Sequence, residues 1–155
     1  MRCTVKDFGK VYRVLTHKSV YPYIIDDYCP KEPPSDFGMV YLKNDNVYVL
    51  MPNNDCVFLV FPITHTVHNV HSGMLPNIRG KMGIKYAKQA IAWTFNNTDC
   101  RVMIGFTPTQ NKAAMMFNRL IGLKKITTLK KSHLHGGNLC DQGLFVLHKG
   151  DERWA

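Results

Sequence analysis

Apolar and polar positions along the chain predict a mixed α/β domain. Residues 3–15 mix the two types (Val5, Phe8, Val11, Val14) and read as a first strand with ragged ends. Between Thr16 and Cys29, Val20, Tyr23, Ile24 and Tyr28 recur at helical spacings, with Pro22 near the start where proline is tolerated. KEPPSD at 31–36, behind Pro30, is a loop. Gly38–Lys43 and Asn46–Met51 are strand-like runs around Asn44-Asp45, a hairpin signal. After a turn at Asn53-Asn54-Asp55, Cys56–Pro62 is a nearly continuous apolar strand and Ile63–Gly73 a mixed one. Short turns between neighbouring strands imply an antiparallel meander.

The second half alternates helix and strand. A helix beginning near Met82 buries Ile84, Ala87, Ile91 and Phe95 and keeps Lys81, Lys85, Lys88 and Gln89 wet. Arg101–Thr107 is a buried strand. The next helix starts at Thr109 or Gln110, with Ala113, Met116, Phe117 and Leu120 inward and Gly122 as C-cap. Lys124–Lys131 is a basic strand, 133–138 a loop and Gly143–Lys149 a last strand. The order β-α-βββ(β)-α-β-α-β-β gives one domain over 1–155, a central, mostly antiparallel mixed sheet flanked by about three helices.

Composition narrows the classes. An apolar share of 45% with 20% charged residues is that of an ordinary globular chain. Apolar runs such as Val57–Ile63 fall far short of the roughly 20 residues of a membrane span. The start MRCTVKDFGK has no apolar segment behind its basic residue, so no signal peptide and a cytoplasmic location are expected. The five cysteines are widely spaced without a C-x-x-C pair, which argues for buried thiols over disulfides or a cysteine zinc site.

The net charge of +9 is uneven: Pro76 to Lys131 holds eleven Lys or Arg against the single acid Asp99. That imbalance calls for an anionic partner, whether nucleic acid, a phosphorylated cofactor or an acidic protein. No nucleic-acid-binding motif accompanies the lysines at 124–125 and 130–131. Trp154, in the tail DERWA, is placed to fold back or to dock on a partner.

The stretch Thr66–Phe95 organises the rest. It reads as an extended segment, a turn holding Pro76, Arg79, Gly80 and Gly83, and an amphipathic helix. Such a junction leaves the first helical N–H groups without intrahelical partners. The helix dipole and nearby cations then favour a phosphate or pyrophosphate there.

Leu75-Pro76-Asn77-Ile78-Arg79-Gly80-Lys81-Met82-Gly83-Ile84 resembles the acetyl-CoA signature of the GNAT superfamily of N-acetyltransferases, a strand, Pro-x-x-Arg-Gly-x-Gly and a helix. Gly105–Ala114 and Leu120-Ile121-Gly122-Leu123 resemble the family's later strand–helix and helix–strand junctions. Trp93-Thr94-Phe95 at the helix end looks most like small GNAT-like proteins of bacteriophages and prophages. One residue more than the usual Arg-Gly-x-Gly spacing separates Gly80 from Gly83, and 110–121 lacks the tyrosine that many members use as general acid.

The resemblance implies acetyl transfer from acetyl-CoA to an amine. Arg79 and the N–H groups of Gly80, Lys81, Met82, Gly83 and Ile84 would receive the pyrophosphate. Met74 and Leu75 would pair with the pantetheine arm by main chain, and Asn111 would hold its far side. A base must take the ammonium proton, yet no Asp or Glu lies between Cys56 and Thr98. His68 and His71 fall there, three apart, so on a regular strand they face opposite sides and only one meets a cleft. A non-catalytic GNAT-like protein, a virion component or host-directed inhibitor working through its basic face, is the alternative reading.

Overall fold

The computed structural model describes residues 1–151; Trp154 lies outside the described residues. Three short helices come first, α1 (Phe8–Leu15), α2 (Tyr21–Ile24) and α3 (Met39–Leu42). Strands β1 (Tyr48–Asn53), β2 (Cys56–Pro62) and β3 (Val67–Met74) follow, then α4 (Lys81–Asn97), β4 (Val102–Pro108) and α5 (Lys112–Leu120). The hairpin of β5 (Lys124–His135) and β6 (Asn138–His148) ends the described chain. The sheet order is β1-β2-β3-β4-β6-β5, antiparallel everywhere except β3 beside β4.

Two antiparallel halves thus meet at one seam. β2 and β3 pair along nearly their full length, and β4 pairs throughout with Gln142–His148 of β6. Between the halves only Val67–Val102, His68–Met103 and Asn69–Ile104 are aligned. Beyond Asn69 the strands part, and the gap is the centre of the molecule. β2 is buried on both faces, with Phe58 and Val60 in the core under α4 and Val57 and Leu59 in the core under α1. Burial on both sides accounts for the unbroken apolar run of Cys56–Phe61. None of the described helices is long and apolar enough to cross a membrane.

The first third differs from the sequence expectation. Residues 3–15 are not a strand: a capping contact (Thr4 N–H to Asp7 Oδ2, 2.9 Å) leads into α1, which buries Val11, Val14 and Leu15. Their spacing of three and four is a helical face, and burial overrides the β preference of valine. Only Met1–Cys3 pairs with the sheet, through Cys3 N–H to Val49 O and Met51 N–H to Met1 O. The helix expected over 16–29 shrinks to α2, because the His17 Nδ1 takes the Ser19 N–H at 3.1 Å and competes with the helical ladder. The strand expected at Gly38–Lys43 is the single turn α3, and Asn44 leaves it through an Asx turn (Asn46 N–H to Oδ1, 3.0 Å), not a hairpin. The loop expected at 133–138 is a two-residue hairpin turn, Gly136-Gly137, closed by the pair His135–Asn138.

Candidate active-site cleft

Where β3 and β4 separate, a cleft of about 1020 Å³ runs through the sheet. Val70–Met74 line one wall and Gly105–Pro108 the other. The lining includes the start of α4, the inner face of α5, the α1–α2 connection, Asp26 and part of β5.

The α4 end is an open helix terminus. Arg79 is extended, and Gly80 caps the helix at φ 87° and ψ −136°, a conformation open to glycine alone. A Cβ on Gly80 would meet nothing within 4 Å, so the space above it is open. The first helical bond is Ile84 N–H to Gly80 O (3.0 Å), leaving the Lys81, Met82 and Gly83 N–H groups without intrahelical partners. The Ile84 N–H, expected on the pyrophosphate, is therefore spent within the helix. Gly83 is buried, and its missing Cβ would stand 2.8 Å from Met74 Sδ and 3.1 Å from the Ile78 carbonyl. Its role is to let α4 approach the end of β3.

Several groups expected on the cofactor are committed elsewhere. The Arg79 guanidinium donates to Met74 O (3.2 Å from Nε, 3.1 Å from Nη2) and to Ser19 O (2.8 Å). It clamps the α1–α2 connection onto the end of β3. With Met74 O so occupied and Leu75 N–H on Asp55 O (2.9 Å), neither residue keeps that main-chain group for a ligand. Strand alternation turns the main chain of Val70 and Ser72 toward the gap instead. The Val70 carbonyl lies 3.9 Å from where a Cβ on Gly105 would be. Asn111 caps α5 through Oδ1 (Ala114 N–H, 3.1 Å) and lines the cleft.

The helix α5 is rotated relative to expectation. Met115 is buried, whereas Met116 and Leu120 are 52% and 51% exposed and line the cleft. Asn118 Nδ2 donates to Thr107 Oγ1 at 2.8 Å and fixes that rotation. The stripe predicted for the core is a cleft wall.

The two candidate histidines part company. His68 is 2% exposed, stacked on Tyr48 (6.1 Å, 20°), and is not on the cleft lining. Its Nε2–H donates to His65 O at 3.3 Å, which leaves Nδ1 a buried acceptor without a partner. Burial lowers its pKa from the ordinary histidine value. A base cannot work from there. His71 is exposed on the opposite face, lines the cleft, packs edge-on against Phe61 (5.4 Å, 87°) and has a pKa lowered by desolvation. Its Nε2 lies 3.2 Å from Asn69 Nδ2.

The sequence reading missed His133 and Ser132, which also line the cleft. Between Leu129 and His133 the pairing shifts, Lys131 takes φ 48°, and Asp141 grips the bulge through the Lys131 N–H (2.9 Å). Adjacent residues of β5 are thereby brought to one side, as bulges near active sites do. Opposite them, the Asp27 carboxylate accepts the Gly136 and Gly137 N–H groups at 2.8 and 2.7 Å, and Leu134 O accepts the Asp27 N–H at 3.1 Å. Those bonds lower the Asp27 pKa. Burial pushes the Cys56 and Cys100 thiols up to about 11, which keeps both protonated and unsuited to carry an acyl group.

Solved structures share this architecture. A spermidine N-acetyltransferase from Vibrio cholerae, in complex with CoA and spermine, superposes with a TM-score of 0.79 at 11% identity, over 98% of this chain and 95% of that one. A ribosomal-protein-S5-alanine acetyltransferase from Vibrio fischeri gives 0.73 at 14% identity, over 99% and 93%. A GNAT-family acetyltransferase from Bacillus anthracis gives 0.73 at 14%, over 96% and 92%. At such identities the likeness is one of fold, and the fold is that of the GNAT acetyltransferases. No curated protein matches by sequence. Residues 35–153 match a family model, and the chain belongs to that family, described as "Protein of unknown function (DUF2824)".

Proposed function

We propose that this chain is an acetyltransferase that moves an acetyl group from acetyl-CoA to an amine. The observation that carries the reading is the cleft through the sheet, which joins an open helix-terminal cradle to an exposed histidine. The cradle fits a pyrophosphate: three N–H groups, the positive end of a 17-residue helix and the nearby Lys81 and Lys85 all favour negative charge. Val70 and Ser72 offer main-chain groups to the pantetheine arm, and Asn111 Nδ2 faces the same need from α5.

Bound acetyl-CoA supplies the thioester, whose C–S bond is exchanged for C–N while the thiol leaves with a proton. His71 takes the proton of the acceptor ammonium. With the Asn69 amide turned so that Oδ1 accepts from Nε2–H, Nδ1 is left a free lone pair, the turn exchanging one unpartnered buried amide atom of Asn69 for the other. A lowered pKa keeps that nitrogen unprotonated at neutral pH. A bacteriophage or prophage source belongs to this proposal on the resemblance of Trp93-Thr94-Phe95 alone.

A second reading, a GNAT-like binding protein without catalysis, draws on two observations. Asp26 is the sole carboxylate on the lining among the described residues, and Arg79 is already engaged by two carbonyls. Calorimetric titration with acetyl-CoA separates the readings. Micromolar binding, about −8 kcal/mol, that is lost in a folded Lys81→Glu, Lys85→Glu variant supports transfer. No heat and no melting shift at millimolar cofactor would sink it in favour of the binding protein.

A further inference from the structure

A second, smaller pocket of about 100 Å³ opens beside His71 on the face covered by α1–α3. It shares Ile24, His71, Ser72 and Gly73 with the cleft, so the two adjoin at these residues. Its own walls are Leu15, Leu59, Phe37, Tyr41 and Phe61. The aromatic walls hold one another edge-on: Phe37 to Tyr41 at 6.3 Å and 86°, Tyr41 to Phe61 at 5.5 Å and 81°, Phe61 to His71 at 5.4 Å and 87°. Rings locked in this way form a preset cavity, with little ordering left to do on binding.

We propose that this pocket receives an uncharged apolar substituent of the acceptor, so that the amine acetylated carries a short branched aliphatic group and no second ammonium there. The inference rests on the transfer reading and adds the substrate class. Size supports it: the pocket is smaller than the ~150 Å³ apolar cavity that takes up benzene, which suits a branched group of about four or five carbons. Charge supports it as well. Only His71 and Tyr41 can ionise on this lining, and desolvation lowers one pKa and raises the other, so both are neutral at pH 7. An ammonium placed among these walls would lose its water and find no carboxylate. Asp26 lines the cleft but not this pocket.

The test compares isobutylamine and isoamylamine with putrescine and spermidine, each titrated into the wild-type protein and into Phe37→Trp, whose larger ring narrows the pocket. Apolar amines are expected to bind at least tenfold more tightly than the polyamines, and Phe37→Trp to erase the difference. Polyamines that bind equally well, or a preference that survives in a folded Phe37→Trp, overturn the proposal. Should that variant fail to fold, the wild-type ring resonances of Tyr41 and Phe61 decide: they shift with isoamylamine if the group enters and stay put if it does not. Acetyl-CoA is titrated into the same sample. Absent cofactor binding with an intact apolar preference would defeat the transfer reading while upholding the pocket's selectivity.

Discussion

His68 and His71 sit three residues apart on one strand and live in different worlds. His68 points under α4 into a stack with Tyr48, sealed from water, with one nitrogen unpartnered. His71 points to the α1–α3 face, at the junction of a cleft and an aromatic pocket. The same residue type, with a pKa moved in the same direction by the same cause, serves packing in one place and is available for chemistry in the other. A perturbed pKa does not by itself mark a catalytic group; access decides.

The sharpest way to break this comparison is to delete each imidazole. On the proposed reading, His71→Ala slows thiol release from acetyl-CoA by about 10²–10⁴-fold, the range for a lost acid–base group, and barely moves the urea midpoint. His68→Ala reverses the pattern, costing about 2–4 kcal/mol of stability as a buried truncation does, with the rate per folded molecule retained. Equal loss of rate in both variants would end the distinction.

Acid sharpens it further. A histidine whose folded pKa is depressed binds its proton more readily when unfolded, so stability falls as pH drops below about 6.5 toward the folded pKa. One such proton contributes at most about 1.4 kcal/mol per pH unit. His68→Phe should remove its own share of that slope in melting curves, leaving the share of His71, whereas the rate–pH profile, with its midpoint below 6.5, should follow His71 alone. The smallest expected effect is at Asp27. Its carboxylate has a lowered pKa, so the bonds to Gly136 and Gly137 hold at neutral pH and weaken as acid protonates it. Asp27→Asn should lower the melting temperature slightly at pH 7, and the difference should shrink as pH falls below about 3.9 toward the lowered folded pKa.

Sequence periodicity located β2, β3, α4, β4 and α5 to within a few residues, because each carries a strong apolar pattern set by burial against the sheet. It failed at residues 3–43, where the helices are short and their valines and tyrosines favour strands in isolation. The Val11–Val14–Leu15 spacing held the helical signal, and Gly136-Gly137 held the hairpin one. The opposite facing of His68 and His71 followed from strand alternation. No sequence pattern announced that Arg79 would reach Ser19, 60 residues away, or that a bulge would bring Ser132 and His133 to the cleft. Those depend on contacts distant along the chain.

The bond from Gly137 to Asp27 spans 110 residues. Closing so long a loop is favourable only after β4, β6 and β5 have assembled to hold its far end. If the bond forms after the folding transition state, its loss should leave the refolding rate unchanged while raising the unfolding rate, which refolding and unfolding kinetics of Asp27→Asn would measure. Asp27 would act on how long the assembled molecule persists, with little influence on how quickly it assembles.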